Sequence, residues 1–173
     1  MSARYSSAWW LRFALIDGAL RLLPPFVGSR LRVSCLRRLG FEIGHGSTIW
    51  GQPSIIVGKH SSAQLRIGRE VDANRGIVFE LEQDISIGDR VSIGHEVLFL
   101  TGAQACRFSA QAESYPAGPI VVEDGVWLGA RCIVMPGVRI GQGSLVGAGS
   151  LVTHDLPANS FFAGTELRRR LEA

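Results

Sequence analysis

From Val122 to Val152 every sixth residue is aliphatic: Val122, Leu128, Val134, Ile140, Val146 and Val152, without an exception. A helix of 3.6 residues per turn scatters residues six apart around its axis, and a half-buried strand repeats every second residue rather than every sixth. One unbroken strand of that length is also excluded, because strands seldom exceed about ten residues. A chain folded into short flat faces of six residues does keep these positions on one buried line, and three such faces close one triangular coil. Gly129, Gly141 and Gly147 follow three of the aliphatics, and the corners between tiles carry Val126, Cys132, Val138, Ser144, Ser150 and Leu156. The pattern predicts an all-β fold, a β-solenoid whose stacked coils share backbone hydrogen bonds and bury a column of aliphatic side chains.

The same pattern returns upstream in a rougher form, in the pairs Ile43-Gly44, Val57-Gly58, Ile67-Gly68, Ile87-Gly88 and Ile93-Gly94. Its register slips by two residues between Ile67 and Ile87 and by far more between Phe99 and Val122. Insertions in a solenoid are thrown out from a corner, where binding chemistry concentrates. Residues 101–119 are therefore expected as a loop excursion, inside a solenoid that occupies residues 41–164.

A chain of 173 residues with a net charge of +3 is long enough for one domain with a core. Its pI of about 9.1 owes much to arginines near the two ends, Arg30, Arg32, Arg37 and Arg38 in front and Arg168, Arg169 and Arg170 behind. They come without a nucleic-acid motif or an interleaved aromatic platform, which argues against a polynucleotide partner. Cys35, Cys106 and Cys132 are odd in number and widely spaced, as suits a reducing cytoplasm, and no spacing suggests a metal cage.

Residues 1–40 differ in kind. The stretch from Ala8 to Val27 is apolar and aromatic, yet Arg12, Asp17 and Arg21 interrupt it and Pro24-Pro25 stop it. It is too interrupted to span a bilayer, and it lacks the layout of a cleavable signal peptide. An amphipathic helix is expected there, followed by a second short basic helix carrying Leu31, Cys35, Leu36 and Leu39. Two readings follow: the helices cap the open end of the solenoid, or residues 8–38 rest on the inner membrane face with tryptophans in the interface and arginines toward anionic lipid. Residues 165–173 read as a basic tail.

Three runs carry a resemblance: residues 121–130 (VVEDGVWLGA), residues 134–141 (VMPGVRIG) and residues 146–157 (VGAGSLVTHDLP). Over roughly residues 67–164 the chain resembles the hexapeptide-repeat acyltransferases, above all the sugar O-acetyltransferases of the maltose, galactoside and capsule or exopolysaccharide type. The resemblance implies a left-handed parallel β-helix, an exception to the right-handed crossover rule. It also implies a homotrimer, acetyl-coenzyme A as acyl donor, and active sites in grooves between neighbouring subunits.

Such a site must take the proton from a sugar hydroxyl as it attacks the thioester and must hold the developing oxyanion. In the family a histidine in the loop after a Thr-Gly or Thr-Ala pair is the base. Here that segment reads Leu100-Thr101-Gly102-Ala103-Gln104-Ala105, so Gln104 stands where histidine is expected. A carboxamide donates and accepts hydrogen bonds but takes no proton near neutral pH. Three explanations stand side by side: a base from elsewhere, catalysis by positioning alone, or binding without catalysis. His95, in a corner one strand before the loop and next to Glu96, is the candidate substitute. Glu113 and Tyr115 match the family's acidic-x-Tyr segment beside the acceptor. Asn74, in Asp72-Ala73-Asn74-Arg75-Gly76, matches its Ala-Asn segment, although a corner asparagine also serves its own backbone. His45 and His60 read as surface turns.

On the donor side the resemblance places Trp127 and Ala130 against the pantetheine arm and Ala148 where space is needed. It brings Thr153 and His154 toward the nucleotide end and Arg168 toward a phosphate. His154 replaces the lysine common in relatives, and the closing Gly-x-Pro-Ala-Arg is here Gly164-Thr165-Glu166-Leu167-Arg168, without its proline. A zinc solenoid of the γ-carbonic-anhydrase type would need three histidines around the metal, and those at 45, 60, 95 and 154 include no close pair. The expected function is an acetyl-coenzyme A-dependent O-acetyltransferase acting on a sugar of a cell-surface polysaccharide or its lipid-linked precursor. The rival is a scaffold or binding trimer that has lost its base.

Overall fold

The computed structural model describes residues 5–58, 61–102 and 116–170. A six-residue repeat buries its aliphatics only if the chain turns a corner after each tile, and the outcome is a β-solenoid of three sheets. The first face stacks Glu42–Ile43, Leu65–Ile67, Ile85–Ile87, Ile120–Val122 and Arg139–Ile140. The second stacks Thr48–Ile49, Asp72–Ala73, Ser92–Ile93, Trp127–Leu128, Leu145–Val146 and Ser160–Ala163. The third stacks Ser54–Val57, Val78–Leu81, Leu98–Phe99, Ile133–Val134 and Leu151–Val152. All neighbours within these stacks run parallel.

Register partners form the buried columns. Ile43, Ile67, Ile87, Val122 and Ile140 descend the first face. Ile49, Ala73, Ile93, Leu128, Val146 and Phe162 descend the second, and Ile55, Phe79, Phe99, Val134 and Val152 the third. All of them are buried, and Phe79 stacks on Phe99 with ring centroids 5.2 Å apart. At roughly 1.5 to 3 kcal/mol for each large side chain removed from water, these columns are the main source of stability. Carboxylates tie successive coils at the corners: Asp84, Asp89, Asp124 and Asp155 each accept a backbone N–H at 2.8 Å, from Gln64, Arg69, Asp89 and Arg139 respectively. The Arg69 amide, with the Arg69 guanidinium, holds the Asp89 carboxyl below its usual range.

The register breaks share one corner. From Ile55 to Ile67, Phe79 to Ile87 and Phe99 to Val122 the chain takes six, two and seventeen residues more than a tile, always on passing from the third face to the first. An extra residue within a strand would disrupt its ladder, whereas a corner can extrude it. The two-residue insertion lies at Glu82 and Gln83, and Thr101 of the following coil serves it. The fully buried Thr101 hydroxyl donates to the Glu80 carbonyl and accepts from the N–H of Glu82 at 3.0 Å and of Gln83 at 3.1 Å. Thr101→Val keeps the shape and leaves these groups unpaired. It is expected to lower unfolding free energy by about 2 kcal/mol in urea titration, with an unchanged m value.

Helices α1 (Ser7–Arg21) and α2 (Ser29–Arg38) lie against the first coil, α2 packing on Glu42–Ile43 and Thr48–Ile49. The Ser6 side chain caps α1 through the Trp9 N–H. Trp9 stacks on Phe13 at 5.1 Å, meets Phe41 edge-on and donates its indole N–H to the Leu39 carbonyl at 2.7 Å. Fully buried Arg32 donates to the carbonyls of Leu23, Pro24, Pro25, Val27 and Trp50, tying the linker between the helices to the solenoid.

The C-terminal segment differs from the expected tail. Glu166–Arg170 is a strand antiparallel to Ser160–Ala163, with Ala163 opposite Glu166. The reversal needs only Gly164 and Thr165, and Gly164 sits at φ +71°, which favours glycine at the first position of a two-residue hairpin loop. The hairpin covers an edge of the second sheet that would otherwise stand unpaired.

Candidate functional site

The corner after the second face gathers four of the residues singled out in the sequence, Asn74, His95, Ala130 and Ala148. Asn74, Gly94, Gly129 and Gly147 each follow a buried residue of that face, and Arg75, His95, Ala130 and Ala148 come next. Backbone hydrogen bonds carry this corner from coil to coil: Glu96 N–H to the Arg75 carbonyl, Arg131 N–H to His95 and Gly149 N–H to Ala130. A Cβ added at Gly94 would lie 2.5 Å from the Ala130 nitrogen, and one at Gly129 2.5 Å from the Ala148 nitrogen. Coil spacing thus requires glycine at both positions, and in the same register Asn74 aligns with Gly94, one residue before His95.

Asn74 is half-buried, and its Oδ1 accepts the Arg75 N–H at 3.0 Å. This is the local backbone role of a corner asparagine, and Nδ2 has no acceptor among the described residues. His95 is exposed, and its imidazole makes no hydrogen bond among the described residues. Beside it, Glu96 adopts φ +58° and pairs with Arg131 at 2.8 Å. That hydrogen bond and the guanidinium charge hold the Glu96 carboxyl below its usual range, so it is a weak base.

Below His95 the corner is lined by small residues. Ala130 is half-buried, Ala148 is exposed, and a Cβ added at Gly149 would meet nothing within 4 Å, so the groove is open at this level. Trp127 projects from the second face just before the corner and remains 46% exposed. A thin, flexible thioester arm suits such a trough of small residues with one aromatic wall.

Thr153 and His154 lie elsewhere. They follow Leu151–Val152 at the end of the third face, one face on from the corner that holds Ala148. Thr153 Oγ1 lies 3.3 Å from His154 Nδ1, and the His154 ring meets Phe162 edge-on at 5.8 Å. Arg168, on the terminal hairpin, is exposed and lies 3.3 Å from the Glu166 carboxylate. The loop excursion starts from the same corner as Thr153, and its two ends are pinned together by the Gly118 N–H bonding to the Thr101 carbonyl at 3.1 Å. Gln104, Glu113 and Tyr115 lie outside the described residues.

The third face separates these two groups of residues, and from its second coil to its last one outward rank is apolar, with Ser54 completing the rank in the first coil. Val78, Leu98, Ile133 and Leu151 are register partners pointing outward, each half-buried. The matching outward positions of the first face are Glu42, Arg66, Ser86, Val121 and Arg139. Sequence inspection singled out neither this rank nor Arg131. The signal was present, since Leu98, Ile133 and Leu151 each precede a residue of the buried column.

Comparison with known proteins agrees with this architecture. The family model described as bacterial transferase hexapeptide (six repeats) matches residues 119–154. A galactoside O-acetyltransferase of Escherichia coli is 33% identical over 124 residues, 71% of this chain and 60% of that protein. Another from Lactococcus lactis is 33% identical over 135 residues, 78% and 64% respectively. The chain therefore spans less than two thirds of the length of these curated relatives. A hexapeptide-repeat acetyltransferase of Vibrio cholerae, solved with acetyl coenzyme A, superposes with a TM-score of 0.76 at 26% identity, covering 96% of this chain and 88% of that one. In repeat, sheet topology and relatives alike, the chain is a hexapeptide-repeat protein similar to the acyltransferases built on that repeat.

Proposed function

We propose that the protein is an acetyl-coenzyme A-dependent O-acetyltransferase that works in the cytoplasm as a homotrimer on a sugar, in polysaccharide synthesis. The observation that carries this reading is the single corner that holds Asn74, His95, Ala130 and Ala148 on successive coils. In this order the acceptor lies at Asn74, the thioester at His95 and the pantetheine arm along Ala130 and Ala148. Asn74 Nδ2 orients the acceptor oxygen, and His95 takes the proton from the hydroxyl as that oxygen attacks the thioester carbon. The same imidazolium returns the proton to the departing sulfur. Glu96, held ionised by Arg131, faces the forming imidazolium with a negative charge.

The apolar outward rank of the third face supports the trimer. A second copy laid on Val78, Leu98, Ile133 and Leu151 buries them and brings its neighbourhood to both flanking corners, so that Thr153 and His154 border the same groove as Ala148. Apolar surface of this kind is characteristic of obligate interfaces.

A scaffold reading is favoured by one observation: no histidine occurs between His95 and His154, so the loop excursion holds none. Coenzyme release from acetyl-coenzyme A over a panel of sugars, with the native chain, Ala148→Trp and Gln104→His, distinguishes the two. The native chain is expected to turn over, and Ala148→Trp to raise KM for the donor by at least about tenfold by filling the trough. Absence of turnover by native and Gln104→His proteins, with no coenzyme binding by calorimetry, would sink the enzyme reading. A large gain confined to Gln104→His would identify a lapsed site.

A further inference from the structure

Helix α1 is apolar on two opposite sides, and the solenoid covers only one of them. At about 100° per residue, Trp9, Phe13, Ile16 and Leu20 point toward the first coil, where Phe13 and Leu20 are buried and Trp9 and Ile16 pack against the core. Leu11, Leu15 and Leu22 fall within about 40° of one another on the far side. They are 64%, 66% and 85% exposed and form a stripe roughly 16 Å long. A helix apolar all round belongs in an interior, so the far stripe lacks a cover. Beyond its end the linker and α2 continue with exposed Phe26, Val27 and Leu31.

Charge decides what the cover is. Arg12 and Arg21 flank the stripe on either side, and Arg30 and Arg38 are exposed on α2. Asp17 is the lone acid of residues 5–40, and its two oxygens are already taken by Arg21 Nε at 2.7 Å and Gln52 Nε2 at 2.9 Å. A second copy on this stripe would set arginine against arginine with no free carboxylate between them. Anionic headgroups supply the missing charge, and the acyl boundary beneath them takes the leucines.

We infer that the outer face of α1, with the adjoining linker and the start of α2, is a docking surface for an anionic lipid bilayer. The proposal does not depend on the acetyltransferase reading. Phe13 and Leu20 stay in the core, so docking requires no refolding of the helix. No helix among the described residues is long and apolar enough to cross a membrane, and the contact is one of lying on the surface.

Sedimentation with vesicles tests the inference, using phosphatidylcholine alone and phosphatidylcholine with about one quarter phosphatidylglycerol. The native chain is expected to sediment with the anionic vesicles and to be released by salt. Leu11→Asp with Leu15→Asp should weaken partitioning at least about 100-fold. Arg12→Gln with Arg30→Gln should weaken it roughly 30-fold and abolish the preference for anionic lipid. Both sets are exposed, so circular dichroism and thermal midpoint should stay native, and the arginine variant provides the test even if the aspartates perturb the helix. Native protein left in the supernatant with anionic vesicles would overturn the proposal. So would binding unchanged in both variants, or a drop in native mass on introducing the aspartates, which would mark the stripe as a contact between copies.

Discussion

His95→Gln is expected to reduce kcat/KM for acetyl transfer by about 100- to 10,000-fold, the range lost when a general base is removed. Glutamine retains hydrogen bonding and approximate size, so binding of coenzyme A by calorimetry and the unfolding midpoint should remain native. The loss should fall mainly on kcat, because proton removal belongs to the transition state. Glu96→Gln provides the contrast. Its carboxylate already serves Arg131, so its removal deprives the imidazolium of a nearby charge without removing the base, and the decrease should be far smaller. A His95→Gln enzyme within about threefold of native would exclude His95 as the base.

Arg32→Met is expected to cost about 4 kcal/mol of stability, the largest effect of any substitution outside the buried columns. Methionine fills much of the same volume but donates nothing, and the carbonyls of Leu23, Pro24, Pro25, Val27 and Trp50 lose their shared donor. The cation is held entirely by backbone carbonyls, with no carboxylate among its partners, and burial pushes its pKa below the usual arginine value. Arginine tolerates this because its intrinsic pKa is far above neutrality and its planar fork reaches several acceptors at once. Arg32→Lys should therefore fail to rescue, since an ammonium with three donors cannot reach five carbonyls in that arrangement. Differential scanning calorimetry at fixed protein concentration should show a midpoint lowered by about 10 °C. A shift below about 3 °C would mean that water replaces the guanidinium, and that the linker is not anchored through it.

The solenoid was legible because its signal is local and repeated. Each tile from Val122 to Val152 places one aliphatic at the column and small residues at the corner, and no other regular structure satisfies that spacing. The upstream coils were legible in part. Val57-Gly58 was read as opening a tile, but the column residue on that strand is Ile55, and Val57 pairs two positions further along with Leu81. Aliphatics at both positions of one strand hide which is in register until the neighbouring strand is in place. The terminal arginines read as a tail because a strand reading Glu-Leu-Arg-Arg-Arg has no hydrophobic alternation. Its partner, Ser160–Ala163, lies across a two-residue turn that only Gly164 announces.

The candidate site divides in the same way. Asn74, His95, Ala130 and Ala148 were each singled out separately, by residue type and by resemblance. That they share one corner follows from parallel register, in which residues separated by an irregular number of positions become neighbours. The pairing of Glu96 likewise involves Arg131, a partner one coil away that no short motif connects to it. The six-residue beat determined the scaffold by itself, since period dictates which side chains can be buried together. Only the tertiary structure decided that all three insertions leave from one corner, that the third face carries an apolar outward rank, and that α1 shows a leucine stripe to solvent. Those properties belong to surfaces assembled from distant segments, and a linear pattern carries no record of which residues will meet.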